Sequence, residues 1–196
     1  MAERSDEAVT GLVLAGGLGR RMGGVDKGLR LFRGLPLAAH AIARLAPQVD
    51  ALIINANQNR AAYEALGHPV IGDALGNFAG PLAGLHAGLC ACATPLLVTV
   101  PCDSPLLPLD LVARLHRALS AAGAQLAVAQ AGGWIQPVFA LCRTDLRDEL
   151  SGYLASGERK VDAWFATLRV VEVPFDDEAA FVNINTPEEL ERLEPT

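Results

Sequence analysis

The sequence predicts an α/β fold with a mostly parallel central sheet flanked by helices. Short apolar runs recur along the 196 residues, and most of them are long enough for a buried strand. Segments compatible with helices separate most of these runs, and this alternation is typical of parallel sheets covered on both faces. Hydrophobic residues make up 51% of the chain and charged residues 19%, which predicts a packed core and excludes a disordered chain.

The elements follow from the apolar runs in chain order. Runs rich in Leu, Val, Ile and Ala predict strands over 11–15, 51–56, 70–71, 96–100, 125–130 and 138–141. The segments between several of these runs predict helices over 37–46, 59–66, 82–91, 109–121 and 144–155.

Proline and capping residues support several of the helix starts. Pro36 suits the first turn of one helix, and Pro108 with Asp110 suits the start of another. The segment TPEE at 186–189 predicts the capped start of a last helix. No linker or repeat divides the chain, so we expect one domain over 9–196 after a flexible N-terminal segment, residues 1–8.

Charge and hydropathy exclude several classes of partner. The formal net charge is -6, whereas a protein that binds a nucleic-acid polymer needs a broad basic face. The first ten residues, MAERSDEAVT, lack the basic and apolar regions of a secretion signal. The apolar runs are too short to span a bilayer. We therefore expect a cytoplasmic protein that binds neither nucleic-acid polymers nor membranes.

The four cysteines do not form a recognisable zinc motif. Cys90 and Cys92 make a C-x-C pair, but no second closely spaced pair of Cys or His accompanies it. We therefore expect Cys90, Cys92, Cys102 and Cys142 to be buried free thiols.

Polar residues follow four consecutive predicted strands. The loop 16–28 follows the first strand, the segment 55–57 the second, Gly72 and Asp73 the third, and Cys102 and Asp103 the fourth. Ligands of open α/β sheets bind beyond the carboxyl ends of the strands. The sequence therefore predicts that these groups meet at one edge of the sheet.

The glycine-rich loop after the first strand fits an anion site. Residues 14–29 read LAGGLGRRMGGVDKGL. The dinucleotide fingerprint fails because Met22 occupies the position of its third glycine, and the P-loop pattern fails because Gly28 follows Lys27 in place of Ser or Thr. Backbone N–H groups together with Arg21 and Lys27 would instead bind phosphate oxygens. The alternative is a surface loop with solvated cations.

The same segment resembles the signature of molybdenum cofactor guanylyltransferases, which attach GMP from GTP to molybdopterin. Further blocks occur in the order of that family and extend the resemblance over nearly the whole chain: NAN at 55–57, IGD at 71–73, GPLAG at 80–84, PCDSP at 101–105 and FVNINTPEEL at 181–190. The resemblance implies a single-domain, Rossmann-like nucleotidyltransferase fold and a transfer that depends on Mg²⁺. It also implies GTP and molybdopterin as substrates, with transient contacts to cofactor-delivery proteins.

The resemblance implies roles for individual residues. It implies Arg21, Lys27 and Asp103 as catalytic residues, and Asp103 also as the ligand of Mg²⁺. Asn183 and Asn185 match the late motif and would face molybdopterin or organise the metal loop. The implied GTP-binding residues are Leu14, Ala15, Gly16, Gly17, Lys27, Asn55, Asp73 and Asp103.

Two side chains have alternative interpretations. The carboxylate of Asp73 can accept hydrogen bonds from the N1–H and the exocyclic amine of guanine, or it can cap the glycine-containing turn. Trp134 is interpreted first as a packing residue, with a platform for the pterin ring as the alternative.

Two other functions remain open at this level. A cytidylyltransferase acting on the same cofactor typically begins with an LAAG-type segment, whereas this chain has Gly16 and Gly17 and continues as GGVDKGL at 23–29. A non-catalytic nucleotide-binding regulator would keep the anion loop without turnover, but the set of Arg21, Lys27 and Asp103 argues against it.

Overall fold

A twisted α/β sheet forms the centre of the protein, with helices on both of its faces. The computed structural model describes residues 7–16, 26–73, 80–184 and Glu189. Within that part of the chain, seven strands pair in the order β5-β4-β1-β6-β8-β7-β9, and β2 and β3 form a separate hairpin. The strands are β1 (Val9–Leu14), β2 (Leu31–Phe32), β3 (Leu35–Pro36), β4 (Ala51–Asn55), β5 (Val70–Ile71), β6 (Leu96–Pro101), β7 (Leu126–Ala131), β8 (Trp134–Arg143) and β9 (Val170–Phe175).

Strand β8 is antiparallel to the other described strands of the sheet. It pairs antiparallel with β6 and with β7, whereas β1 pairs parallel with β4 and β6, and β7 parallel with β9. The direction reverses in the turn Gly132–Gly133, where φ is 59° and 79°. Two successive positive φ angles match a two-residue hairpin turn, and glycine adopts them without steric cost. The predicted, mostly parallel sheet is therefore confirmed.

The helices cover the sheet in two layers. One layer contains α1 (Leu37–Leu45), α2 (Arg60–Glu64) and α4 (Leu111–Ala122), and the other contains α3 (Pro81–Ala91), α5 (Arg147–Ala155) and α6 (Val161–Phe165). Every residue of β6 is buried, which fits its continuous apolar run between two helical layers. Among the described residues, no helix has the length and apolar character needed to cross a bilayer.

The predicted elements agree with the structure except at a few places. Strand β8 begins at Trp134, before the predicted start at 138, because the Gly-Gly turn allows pairing to continue to the tip of the hairpin. Helix α4 begins at Leu111, two residues later than predicted. Strand β9, which has six residues, and helix α6, which has five, were not predicted. The predicted helix start at 186–189 lies outside the described residues, except for Glu189, which is helical.

Candidate active site

The ends of β1, β4 and β6 are tied together by backbone hydrogen bonds at one edge of the sheet. The N–H of Cys102 donates to the carbonyl of Leu14 at 3.1 Å, and the N–H of Ala15 donates to the carbonyl of Asn55 at 2.8 Å. Because the strands are parallel, the polar residues that follow them emerge at this edge. The predicted convergence of strand ends is confirmed.

Lys27 and Asp103 meet at this edge. Lys27 lies in the 3-10 turn Lys27–Leu29, and Asp103 is the second residue after the end of β6. The ammonium nitrogen of Lys27 lies 3.6 Å from Oδ2 of Asp103, and their side chains are 31% and 13% exposed. A cation and a carboxylate that both retain some exposure are placed to contact a polyphosphate and a metal ion.

The carboxyl group of Asp103 is buried without full electrostatic compensation. Burial raises its pKa above the usual range of an aspartate, although the ammonium of Lys27 acts in the opposite direction. Binding of a second cation beside this buried carboxylate would stabilise its charged form. A single carboxylate is a ligand that a divalent cation can use together with phosphate oxygens and water, and such a cation would offset the cost of burying Asp103.

Asn183 lies next to Asp103. The hydroxyl of Ser104 donates to Oδ1 of Asn183 at 2.6 Å, and the N–H of Ile184 donates to the carbonyl of Asp103 at 2.9 Å. These bonds attach Asn183 and Ile184 to the loop after β6. The described part of the late sequence motif thus contacts the Asp103 motif, although the two are far apart in the chain.

Asp73 is held by two asparagine side chains. Its Oδ1 accepts a hydrogen bond from Asn55 Nδ2 at 3.0 Å, and its Oδ2 accepts one from Asn57 Nδ2 at 2.8 Å. The amide oxygen of Asn57 accepts the N–H of Asp73 at 2.8 Å. Each carboxylate oxygen has a second lone pair, so the group is oriented and still able to accept bonds from a ligand.

Asn55 fills a narrow space between β1 and α3. It is 1% exposed, and a Cβ placed on Gly84 would lie 2.6 Å from its Oδ1. A Cβ on Gly16 would lie 2.9 Å from the same atom. Both glycines therefore leave room for the amide that orients Asp73.

Two side chains that make contacts at this edge were not identified from the sequence. Asn57 was identified only as part of a strand-end segment, yet it makes two of the contacts to Asp73. Asp26 precedes Lys27, and its carboxylate binds the side chains of Asn59 and Tyr63. The signal for Asp26 was its place inside GGVDKGL; no pattern in the sequence identifies its partners.

The remaining predicted site residues divide into two groups. Leu14, Ala15 and Gly16 lie at the end of β1, beside the side chains of Asn55 and Asn57. The predicted residues Gly17, Arg21 and Asn185 lie outside the described part of the chain.

The exposure of Trp134 contradicts its interpretation as a packing residue. Its side chain is 79% exposed, because it stands at the first position of β8, directly after the Gly-Gly turn and outside the helical layers. It therefore does not pack in the core.

The cysteine prediction is wrong for Cys90. Cys102 and Cys142 are buried and Cys92 is half-buried, but Cys90 is exposed near the end of α3. All four are free thiols. Among the residues that the structure describes, no group of three or more His, Cys, Asp or Glu side chains is arranged to hold a metal ion.

Known proteins share this sequence and this fold. The model of the MobA-like NTP transferase domain matches residues 11–172. A molybdenum cofactor guanylyltransferase from Ralstonia nicotianae is 55% identical over 194 residues, which cover 94% of this chain and 95% of the relative. The corresponding protein of Bordetella petrii is 54% identical over 197 residues, covering 98% of this chain and 100% of the relative.

A solved structure of a protein of molybdopterin-guanine dinucleotide biosynthesis has a similar fold. The crystal structure of molybdopterin-guanine dinucleotide biosynthesis protein A from Archaeoglobus fulgidus superposes with a TM-score of 0.76 at 27% identity, covering 93% of this chain and 95% of that one. These similarities confirm the family resemblance of the sequence motifs and the Rossmann-like nucleotidyltransferase fold. This chain belongs to the molybdenum cofactor guanylyltransferases, a family of MobA-like nucleotidyltransferases.

Proposed function

We propose that this protein transfers GMP from GTP to molybdopterin and releases pyrophosphate. The observation that carries the proposal is the meeting of Lys27 and Asp103 at the carboxyl edge of the sheet, 3.6 Å apart. It is supported by 55% identity to a molybdenum cofactor guanylyltransferase over almost the whole chain.

In the proposed step, an oxygen of the terminal phosphate of molybdopterin attacks the α-phosphorus of GTP. A new P–O bond forms, and the bond from the α-phosphorus to the oxygen that bridges to the β-phosphate breaks. That oxygen leaves with the electron pair as part of pyrophosphate. Such transfers depend on positioning and on neutralising charge, and they need no covalent intermediate with the protein.

Lys27 would stabilise the negative charge that builds on the phosphates. An ammonium is a compact point charge, and this one keeps 31% of its side chain exposed, so it is open to a bound anion. Its contact with Asp103 fixes the direction in which it points. Arg21 and the backbone of Gly16 and Gly17 would bind the remaining phosphate oxygens.

Asp103 is the residue that would hold Mg²⁺. Mg²⁺ binds one or two carboxylates together with phosphate oxygens and water. Burial raises the pKa of Asp103, and a bound cation would stabilise its charged form. When bound, the ion would act as a Lewis acid on the phosphate oxygens.

Asp73 would select guanine. The amides of Asn55 and Asn57 orient its two oxygens, and the lone pairs that remain can accept the N1–H and the exocyclic amine of the base. The turn-capping alternative is less well supported, because the carboxylate accepts hydrogen bonds from two side-chain amides, those of Asn55 and Asn57.

The second substrate would bind on the side of Asn183 and Asn185. The tip of the β7–β8 hairpin is on this side, because Gly132 lies against Glu178, only a few residues before Asn183. Thr99 of β6 pairs with Ala140 of β8, so residues before 138 extend past the end of β6, the edge that carries Asp103. The exposed indole of Trp134 there offers a stacking face for the pterin ring.

Pyrophosphate release, measured with GTP or CTP and with or without molybdopterin, tests the proposal. The protein, Mg²⁺ and GTP should release pyrophosphate only when molybdopterin is added, and CTP should not replace GTP. Release with CTP in preference to GTP would identify the cytidylyltransferase alternative. Binding of GTP without release in the presence of molybdopterin would identify a regulator and contradict the proposal.

A further inference from the structure

The carboxylate of Asp26 accepts three hydrogen bonds from the chain around it. Its Oδ1 accepts the phenol of Tyr63 at 2.5 Å and the N–H of Gly28 at 3.1 Å. Its Oδ2 accepts the amide of Asn59 at 3.0 Å. Asp26 immediately precedes Lys27, so these bonds tie the backbone on one side of Lys27 to α2 and to the residue before that helix.

Tyr63 is a permanent donor in this arrangement. It is fully buried in the core between α2 and the sheet, and burial raises its pKa far above the physiological range. It therefore stays a neutral phenol wherever the protein is folded. A buried phenol needs a hydrogen-bond partner, and Asp26 provides it.

Asn59 has a backbone conformation that few residues other than glycine adopt. Its φ is 50° and its ψ 32°, in the left-handed region, and it stands at the position before α2. Asparagine in this position commonly caps the helix, but no bond from its side chain to the N-terminus of α2 is formed. Its amide contacts Asp26 instead.

Gly28 anchors the other side of Lys27. A Cβ on Gly28 would collide with the phenol oxygen of Tyr63 and would lie 3.0 Å from the sulfur of Cys102. The backbone after Lys27 therefore packs directly on Tyr63 and on the residue that precedes Asp103. Both neighbours of Lys27 are held by the same tyrosine.

We propose that Tyr63 and Asn59 are positioning residues for Lys27. By occupying the carboxylate of Asp26, they keep it from competing with Asp103 for the ammonium of its sequence neighbour. By fixing the backbone on both sides, they direct that ammonium toward Asp103 and the phosphates. The inference rests on the proposed function, because the role of Lys27 in transfer is part of it.

A double-mutant cycle with Lys27 tests this positioning. Tyr63→Phe removes one oxygen and keeps the buried ring, while Tyr153→Phe removes the exposed hydroxyl that donates to the carbonyl of Lys160 and serves as the matched control. GMP transfer is followed under single-turnover conditions, so that slow variants remain measurable. We expect Tyr63→Phe to lower the rate of transfer about 10- to 100-fold, and Tyr153→Phe to leave it unchanged.

The rates in the Lys27→Ala background decide the result. If Tyr63 acts through Lys27, adding Tyr63→Phe to Lys27→Ala lowers the rate no further. A fall by the same factor in both backgrounds, or a wild-type rate for Tyr63→Phe alone, would overturn the positioning role. Absence of GMP transfer by the wild-type protein would instead refute the proposed function, so the two failures are distinguishable.

Asn59→Gly separates positioning from stability. Glycine adopts a φ of 50° readily, so this variant should keep its Tm within about 2 °C of the wild type while it loses the bond to Asp26. We expect slower transfer with an almost unchanged KM for GTP. Wild-type transfer by Asn59→Gly would overturn the role of Asn59.

Discussion

The ammonium of Lys27 and the carboxylate of Asp103 are 3.6 Å apart, although Lys27 belongs to the glycine-rich loop after β1 and Asp103 to the loop after β6. The parallel order of β4, β1 and β6 produces this contact, because it brings the ends of neighbouring strands to one edge. In the function that we propose, the phosphates of the nucleotide bind at this pair.

Gly84 is predicted to be sensitive to the addition of one methyl group. In Gly84→Ala the new Cβ would lie 2.6 Å from Oδ1 of Asn55 and 2.6 Å from a methyl of Leu14. We expect the free energy of unfolding to fall by about 1–3 kcal/mol and the KM for GTP to rise, because Asn55 must move. Chemical denaturation and initial rates measure the two effects.

Gly152 provides the control for this substitution. It lies in α5, and a Cβ there would meet no atom within 4 Å. Gly152→Ala should raise the free energy of unfolding by about 0.5–1 kcal/mol and leave the KM unchanged. Equal stabilisation by both substitutions would show that Asn55 does not need the space that Gly84 leaves.

Asp103 is predicted to reduce stability in the absence of metal. The pKa of Asp103 is raised in the folded state, so folding favours its protonated form. The free energy of unfolding therefore includes the full contribution of this group below the unfolded-state pKa, and that contribution is lost as the pH rises through the folded-state pKa. In a chelating buffer at neutral pH, Asp103→Asn should therefore raise the Tm by about 2–4 °C. The variant should not transfer GMP.

The pH dependence provides the control for this prediction. Below the usual titration range of an aspartate, the carboxyl group is protonated in both states, so the wild type and Asp103→Asn should have the same Tm. A lower Tm of Asp103→Asn at neutral pH would mean that the contact with Lys27 outweighs the burial of the charge.

Asp73 is predicted to distinguish GTP from inosine triphosphate, which lacks the exocyclic amine. The wild type should bind GTP about tenfold more tightly, as expected for one hydrogen bond to a carboxylate. Asp73→Asn should reduce this preference, since an amide has a single acceptor oxygen. Equilibrium binding of both nucleotides measures it, and an unchanged preference would leave Asp73 with only a structural role.

Trp134 is predicted to serve the second substrate. Its side chain is 79% exposed, so Trp134→Ala should leave the Tm almost unchanged. We expect a higher KM for molybdopterin and an unchanged KM for GTP, with most of the loss restored in Trp134→Phe, which keeps an aromatic face. The same KM for molybdopterin in Trp134→Ala would exclude stacking at this position.

The sequence predicted the sheet edge well, because its signals are local. A buried strand has a continuous apolar sequence, and polar residues that follow it closely, such as Asp73 and Asp103, can be identified directly. The parallel order of the strands then places these residues at the same edge of the sheet.

Contacts between side chains on different elements could not be predicted in this way. The periodic pattern predicts α2, but it does not show that the phenol of Tyr63 reaches Asp26. Nothing in the sequence shows that Asn59 has a positive φ. The exposure of Trp134 depends on how far the β7–β8 hairpin extends, which the apolar pattern did not indicate.

The most direct measurement is GMP transfer by Lys27→Ala with GTP, Mg²⁺ and molybdopterin, alongside its Tm. If Lys27 stabilises the transferring phosphate, kcat should fall by about 100- to 1000-fold while the Tm stays close to that of the wild type. A folded Lys27→Ala protein with near-normal turnover would contradict the assignment of the Lys27–Asp103 pair as the centre of the active site.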